Sequence, residues 1–313
     1  MQLDVSALRV ELWRLLGALP PIFTPDARIL DRTMRAGIIV ERFAFDNGDD
    51  VTVPGYLLIP PNLTARAPAI LYHHLHGNRY TLGKEEVFWD GLTPVSPALT
   101  LAQAGFVVLC IDAYGFGERA AGSPHIRADA GTATEQALYK HYIWRGSTLW
   151  GMMLRDDILA LNYLTTRAEV DPARIGATGM SLGGSRTTWL AALDDRIAAL
   201  VPVAQMTRYA DFAAAKDYNL HGIYYYLPGM LASGIDMEQI AARAAPRPQT
   251  ILIGDSDPLS PVSGVRTVVD YVRQIYAQYH AADRFNAVIE TGIAHQYTPT
   301  MLAAMLNTFE RYL

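Results

Sequence analysis

Short apolar runs alternate with longer helical segments along most of the chain after residue 60. Runs of about four to eight residues rich in Val, Ile and Leu are typical of strands buried on both faces. Between these runs, apolar residues recur at the spacing of one helix face. This alternation predicts an α/β fold with a mostly parallel, doubly wound sheet. The predicted strands cover residues 69–72, 106–111, 175–178, 198–204, 249–253 and 285–289, and the predicted helices cover 154–165, 181–193, 262–277 and 298–313.

The first sixty residues show a different pattern. Four leucines at helical spacing predict an amphipathic helix over residues 3–17. Two strand-like stretches, residues 38–45 and 51–59, flank an Asp-Asn-Gly-Asp turn and predict an antiparallel hairpin that leads the sheet. We therefore predict an N-terminal helix and arm at residues 1–35, followed by an α/β domain at residues 36–313.

Two stretches fit poorly into the alternation of strands and helices. Residues 113–148 are rich in Gly, His and Arg, and residues 205–245 contain six aromatic residues. Long segments of this kind in α/β enzymes usually form lids and pocket walls. We predict a small cap-like insertion at about residues 205–245. The alternative for the tyrosine run at residues 224–226 is that these side chains pack in the core. The side chains expected to wall a compact pocket are His76, Tyr224, Tyr225, Trp144 and Trp150.

Composition and charge exclude several classes of protein. Of 313 residues, 50% are hydrophobic and 18% are charged, which excludes intrinsic disorder. The net charge of −5 argues against nucleic acid as the main partner. No run of about 18 apolar residues could span a membrane, and no signal peptide is visible at the N-terminus. The lone Cys110 lies in an apolar run and reads as a buried core thiol, so we expect a cytoplasmic protein.

The strongest chemical signal is the sequence Gly179-Met180-Ser181-Leu182-Gly183, which lies between a predicted strand and a predicted helix. A strand-to-helix turn this sharp strains its central residue and lifts the Ser181 side chain clear of the backbone. Side chains two positions before and after would clash with neighbouring elements, which explains the two glycines. The helix that follows directs free N–H groups at any anion formed beside Ser181. Ser181 is therefore the candidate nucleophile.

A serine hydroxyl needs a base, and the base needs an orienting acid. Downstream of Ser181 only His221, His280 and His295 remain. His295 follows the last predicted strand in a turn from which a base could reach over the sheet, so we select it. For the acid, the turn after residues 249–253 offers Asp255 and Asp257. We favour Asp257, because Pro258 confines it to extended geometry at the strand's carboxyl edge; Asp255 stays the alternative.

A tetrahedral oxyanion also requires hydrogen-bond donors. One candidate is the N–H of Leu182, the residue after the nucleophile. The second should come from the loop after the third strand, where Gly77 permits close backbone approach and the Asn78 N–H is our candidate.

These motifs resemble α/β-hydrolases of the dienelactone hydrolase and acetyl xylan esterase type, over about residues 36–313. The resemblance implies an α/β-hydrolase fold and a cofactor-free carboxylic ester hydrolase. It places Ser181, Asp257 and His295 on the nucleophile, acid and base, and residues 76–78 on the oxyanion loop, although such esterases often have an aromatic residue at the position of Asn78. Dienelactone hydrolases proper use a cysteine nucleophile, so dienelactone itself is not the expected substrate.

Two further motifs could indicate a metal or a nucleotide cofactor. His73, His74 and His76 suggest a metal site, but on a strand only His74 and His76 share a face, and no carboxylate is nearby in sequence. Residues 115–120 match the pattern G-x-G-x-x-A, but they do not follow the first strand or open a helix as a dinucleotide site requires. We therefore expect neither a metal nor a nucleotide cofactor.

The sequence thus predicts a serine-dependent hydrolase of small esters with short acyl chains, acting without nucleic-acid or membrane partners. A serine peptidase or amidase of the prolyl oligopeptidase type is the enzymatic alternative, since the same three residues cleave amides. A non-catalytic binding protein on the same fold is the third interpretation. Oligomeric state and the natural ester are left open.

Overall fold

The computed structural model describes residues 5–91, 95–121, 123–204, 207–216 and 218–313, and the side chains of residues 5 and 6 are outside that description. Within these ranges the strands are β1 Arg28–Arg35, β2 Ile38–Asp46, β3 Thr52–Ile59, β4 Ala67–His73, β5 Val107–Ile111, β6 Val170–Met180, β7 Ile197–Val203, β8 Gln249–Gly254 and β9 Phe285–Glu290. The helices are α1 Val5–Leu16, α2 Pro97–Gln103, α3 Thr132–Trp144, α4 Leu149–Thr166, α5 Leu182–Leu193, α6 Tyr209–Ala215, α7 Met237–Ala242, α8 Val262–Gln278 and α9 Pro299–Tyr312.

All of these strands join one sheet, in the order β1-β2-β3-β5-β4-β6-β7-β8-β9. Strands β1 to β3 are antiparallel, and β3 also pairs antiparallel with β5. From β5 through β4 to β9 the pairing is parallel. The predicted doubly wound α/β sheet with a leading antiparallel hairpin is therefore confirmed.

Side chains of the central strands alternate between two hydrophobic layers. On β4, Ala69 and Leu71 pack with helices α4 and α5, whereas Ile70 and Tyr72 pack with α2 and α9 on the opposite face. This two-sided burial explains why the parallel strands read as continuous apolar runs. Cys110 is fully buried in the second layer, as expected, and burial raises the pKa of its thiol.

Strand β1 departs from the prediction of a helix and an arm over residues 1–35. Every side chain of β1 is exposed, so its sequence shows no alternation that could mark a strand. Its backbone pairs with β2 from Arg28 to Arg35, and so the arm contributes an edge of the sheet.

Residues 113–148 and 205–245 form the least regular parts of the fold. The first contains a short 3₁₀ turn at Gly117–Arg119 and helix α3. The second contains α6, α7 and 3₁₀ turns at Ile223–Tyr225 and Leu231–Ser233; its residues 205, 206 and 217 lie outside the described ranges. We call residues 207–245, where described, the cap segment. No helix in the described ranges is long and apolar enough to cross a membrane.

Candidate active site

Ser181 occupies the turn between β6 and α5 with φ 58° and ψ −115°. A positive φ costs a non-glycine residue on the order of 1–2 kcal/mol, so surrounding contacts must hold the turn. The Ser181 N–H donates to the Val203 carbonyl oxygen at 2.9 Å, and the Ser181 carbonyl accepts the Ser185 N–H at 3.1 Å. The turn is thus fixed between the neighbouring strand β7 and the first turn of α5.

The two glycines of this turn lie against the backbone of β4. A Cβ atom on Gly179 would be 2.2 Å from the His73 carbonyl oxygen, and one on Gly183 would be 2.0 Å from the same atom. Any side chain at either position would therefore force strand and helix apart. The predicted reason for both glycines, a clash with neighbouring elements, is confirmed.

His295 and Asp257 come together from the loops that follow β9 and β8. His295 Nδ1 is 2.7 Å from Asp257 Oδ2. The other carboxylate oxygen of Asp257 accepts the Leu259 N–H at 2.9 Å, and the residue is 3% exposed. If Nδ1 carries the proton that the carboxylate accepts, Nε2 is left with a lone pair, as a general base requires.

Asp255, the alternative acid, faces a different group. Its Oδ1 accepts the Gly292 N–H at 2.7 Å and the Ser256 hydroxyl at 3.0 Å. These bonds connect the loop after β8 to the loop that carries His295. Asp255 therefore shapes the loop, and Asp257 is the carboxylate in contact with the imidazole.

A cavity of about 430 Å³ lies at the carboxyl edge of the sheet, where ligands of α/β folds bind. Ser181 and His295 both line it, together with the loop after β4 and one side of the cap segment. His221, set aside as the base, also lines this cavity and packs on Phe212 with ring centroids 4.0 Å apart. His280 is exposed beyond the end of α8. Further lining residues are Gly77, Tyr80, Thr132, Gln136, Tyr218, Tyr226 and Leu259.

The two expected oxyanion donors differ in their surroundings. Leu182 is the first residue of α5, so its N–H has no acceptor within the helix. The Asn78 N–H donates to His76 Nδ1 at 3.0 Å. An oxyanion at this place would have to share that N–H with the imidazole, and the role of Asn78 stays a prediction.

The aromatic side chains expected around the pocket are distributed unevenly. Tyr224 and Tyr225 line the cavity. Trp150 lies behind them, fully buried, with its ring stacked on Tyr224 at 5.7 Å. Trp144 ends α3 and is 93% exposed. The expectation that the two tryptophans wall the pocket is corrected: Trp150 supports the wall from the core, and Trp144 projects from the last turn of its helix.

Glu135 is a cavity residue that sequence reasoning missed. It is 3% exposed on α3, and its carboxylate accepts hydrogen bonds from the loop after β4 and from the cap segment. Nothing in its local sequence marks it, because its partners are 59 and 88 residues away along the chain.

The three neighbouring histidines have separate partners. His73 Nδ1 bonds with the Thr187 hydroxyl, His74 Nε2 accepts the Ala113 N–H, and His76 Nε2 bonds with Glu135. Burial lowers the pKa of His73 well below its usual value and that of His74 to about 3, so both rings are neutral. Among the described residues, no group of three His, Cys, Asp or Glu side chains converges as a metal site would require.

The G-x-G-x-x-A sequence at residues 115–120 does not form a phosphate-binding turn. It contains a three-residue 3₁₀ turn, not a helix start. Its Gly117 packs so closely on Asp112 that a Cβ atom would be 2.2 Å from the carboxylate. That carboxylate, paired with Lys84 at 2.9 Å, occupies the space beside the loop.

Glu86 supports the loop after β4 from beneath. It is 3% exposed, accepts the Leu75 N–H at 2.6 Å and accepts the Tyr72 hydroxyl at 2.8 Å. Burial raises the pKa of Glu86 to about 7, against an ordinary value of 4.5. This carboxyl group therefore changes charge within the physiological pH range.

The raised pKa of Glu86 predicts a stability that falls with rising pH. Between about pH 4.5 and pH 7 the folded protein keeps the Glu86 proton that the unfolded chain has lost, so ionisation penalises folding. We compare the free energy of unfolding of wild type with that of Glu86→Gln. The difference, wild type minus variant, should fall by about 3 kcal/mol as the pH rises from 4.5 to 7. Urea unfolding of both proteins at several pH values measures the difference. Titratable groups that both proteins share, such as His74, contribute equally to the two free energies and so cancel in the difference. A difference that is constant with pH would contradict the prediction.

The sheet order and the serine at a sharp strand-to-helix turn are those of an α/β-hydrolase. Comparison with known proteins agrees. The Dienelactone hydrolase family profile matches residues 96–279. YtaP of Bacillus subtilis (strain 168) is 34% identical over 310 residues, which cover 97% of this chain and 98% of that protein. The chain therefore belongs to the dienelactone hydrolase family, and it is an enzyme, a hydrolase of the carboxylesterase type.

Solved structures share the fold at lower sequence identity. Methylesterase BT1017 matches with a TM-score of 0.74 and 23% identity over 99% of this chain, which spans 63% of that protein's length. A glucuronoyl esterase from Solibacter usitatus matches with a TM-score of 0.71 and 14% identity, covering 96% of this chain and 91% of that one. An acetyl xylan esterase from Paenibacillus sp. R4 matches with a TM-score of 0.58 and 18% identity, covering 99% of this chain and 95% of that one.

Proposed function

We propose that this protein hydrolyses small carboxylic esters through an acyl-enzyme on Ser181. The observation that carries the proposal is the 2.7 Å contact between His295 Nδ1 and Asp257 Oδ2 beside the cavity that Ser181 lines. A serine on a strained elbow, an imidazole held in one tautomer and a buried carboxylate are the parts that acyl transfer requires.

In the first half-reaction, His295 Nε2 takes the Ser181 proton as Oγ attacks the ester carbonyl carbon. The buried Asp257 carboxylate stabilises the resulting imidazolium without itself taking the proton. When the tetrahedral intermediate collapses, the bond to the alcohol oxygen breaks and His295 returns its proton to that oxygen. The products of this step are the free alcohol and the acylated Ser181.

In the second half-reaction, His295 takes a proton from water, whose oxygen attacks the acyl carbon. Collapse releases the carboxylic acid, and the proton returns to Ser181 Oγ. The negative charge of both tetrahedral intermediates falls at the N-terminus of α5, where the Leu182 N–H and the helix dipole stabilise it. The Asn78 N–H is the proposed second donor.

The tyrosines of the cap segment support a preference for small acyl groups. Tyr224 and Tyr225 line the cavity and are buried against Trp150, so displacing either ring would lose packing contacts. The name of the acetyl xylan esterase neighbour denotes a small acyl group, and that of the methylesterase denotes a small alcohol group. We extend this small-substrate character to the present chain.

Acetate and propionate esters of one chromogenic alcohol are expected to exceed octanoate and longer esters in kcat/KM, by roughly tenfold or more. Each methylene that meets a wall loses the gain of about 0.8 kcal/mol that burial would otherwise provide. Initial rates across an acyl series, with the matched anilide beside each ester, measure this preference and the ratio of ester to amide cleavage.

A steady rise of kcat/KM up to lauryl esters would contradict the short-chain preference. It would mean that chains pass Tyr218 and Tyr225 into the apolar cavity of about 370 Å³, whose lining shares those two residues, His221 and Tyr226 with the first cavity. Anilide cleavage faster than ester cleavage would favour the amidase alternative. Turnover of no ester and no anilide would contradict the proposed activity itself.

A further inference from the structure

The Glu135 carboxylate joins three parts of the cavity wall. Its Oε2 lies 2.9 Å from His76 Nε2 and accepts the Tyr80 hydroxyl at 3.3 Å. Its Oε1 accepts the Ile223 N–H at 2.9 Å. A buried carboxylate keeps its place only with such partners. Glu135 thus links helix α3, the loop after β4 and the cap segment next to Tyr224.

The hydrogen bonds of His76 assign its tautomer. The Asn78 N–H donates to His76 Nδ1 at 3.0 Å, so Nδ1 bears the lone pair. The ring proton must then be on Nε2, which donates it to Glu135. Phe116 and Tyr80 pack edge-on against the ring, each with centroids 5.0 Å away, and keep it in this orientation.

The His76 ring closes a turn that is conformationally costly. Gly77 and Asn78 have φ values of 50° and 56°, two successive left-handed residues in the loop that lines the cavity with Ser181. For Asn78, which carries a Cβ atom, this conformation has a steric cost. The Asn78 N–H bond to the ring offsets that cost only while Nδ1 is an acceptor.

We propose that Glu135 is a positioning residue for the oxyanion loop, residues 76–78: it holds His76 as the Nε2–H tautomer, and the ring in turn holds the left-handed backbone of Gly77 and Asn78 beside the cavity. This inference rests on the proposed function, because the loop matters to turnover only if an oxyanion forms beside Ser181. The Ile223 N–H bond means that the same carboxylate also sets the position of the cap segment over the loop.

Glu135→Gln tests the proposal with almost no change of shape. If the Gln oxygen keeps the Ile223 N–H, its NH₂ group faces His76 Nε2, which must become an acceptor. The ring proton then moves to Nδ1, and the Asn78 N–H loses its partner. We expect nitrogen-15 NMR to show the Nε2–H tautomer of His76 in wild type and Nδ1–H in the variant. We expect kcat to fall on the order of 10–100-fold, as for other supporting contacts, with KM changed less than about threefold.

Tyr139→Phe is the matched control, since the Tyr139 hydroxyl also joins α3 to the cap segment, by a 2.9 Å bond to the Tyr226 carbonyl, without contacting His76. This variant should keep kcat within about twofold of wild type. An equal loss in both variants would assign the effect to cap anchoring and overturn the proposal. So would an Nδ1–H tautomer in wild type, or a Glu135→Gln enzyme with normal kcat. The tautomer is read on the resting protein, whereas failure of the proposed function would appear as activity in Ser181→Ala.

Discussion

Ser181→Ala is expected to lower kcat for an activated ester by about 10⁴-fold or more while the protein stays folded. In the proposed mechanism the Ser181 hydroxyl oxygen accepts the acyl group, and alanine fits the elbow, since the strain is in the backbone and not in Oγ. Steady-state kinetics on a short-chain ester, with the unfolding temperature of the same sample, measures both parts of the expectation.

Ser185→Ala is a useful control for this variant. Ser185 lies one turn into α5, is buried and hydrogen-bonds to the Tyr225 hydroxyl at 2.9 Å, but is not a lining residue of the cavity. Removing its hydroxyl should cost less than about tenfold in kcat. Near-normal turnover by a pure Ser181→Ala sample would exclude the acyl-enzyme.

The second large effect is expected at Asp257, the proposed acid. Asp257→Asn should lower kcat by about 10³–10⁴-fold, because the asparagine amide donates to His295 Nδ1 and stabilises the wrong tautomer of the ring. Oδ1 can still accept the Leu259 N–H, so the loop should keep its shape. The measurement is steady-state kcat on a short-chain ester, beside the unfolding temperature of the same sample.

Asp255→Asn provides the matched comparison, two residues away in the same turn. Its Oδ1 bonds to the Gly292 N–H and the Ser256 hydroxyl survive the change to asparagine, and it has no contact with His295 in the structure. We expect an effect of less than about tenfold. A reversed order of the two effects would move the acid to Asp255 and overturn the argument from Pro258.

The parallel core and the elbow could be predicted because their causes are local or periodic. Strands buried on both faces must be apolar throughout, as β5 and β8 are. The glycines at positions 179 and 183 are demanded by the close approach of β4, and a turn of this type leaves the same pattern wherever it occurs. Strand β1 was not predicted because an exposed edge strand needs only backbone pairing, so its sequence shows no alternation of apolar and polar residues.

The choice between Asp255 and Asp257 could be argued from sequence but not decided there. Both follow the same strand, and the distinguishing contact is made with a residue 38 positions away. The burial of the tryptophans could not be read from the sequence either. Trp144 and Trp150 lie only six positions apart, yet Trp144 is on the surface and Trp150 is in the core. Burial of a side chain depends on which helix covers it.

The sequence by itself therefore determined the α/β architecture, the serine elbow and the small set of residues from which an acid and a base could come. These features depend on periodicity and on steric requirements between residues that are close along the chain. Only the tertiary structure brought Asp257 to His295, seated Tyr224 against Trp150 and placed Glu135 between His76 and the cap segment. Those contacts join loops that are distant along the chain. Their geometry is set by how the sheet stacks its carboxyl ends, and no local pattern encodes it.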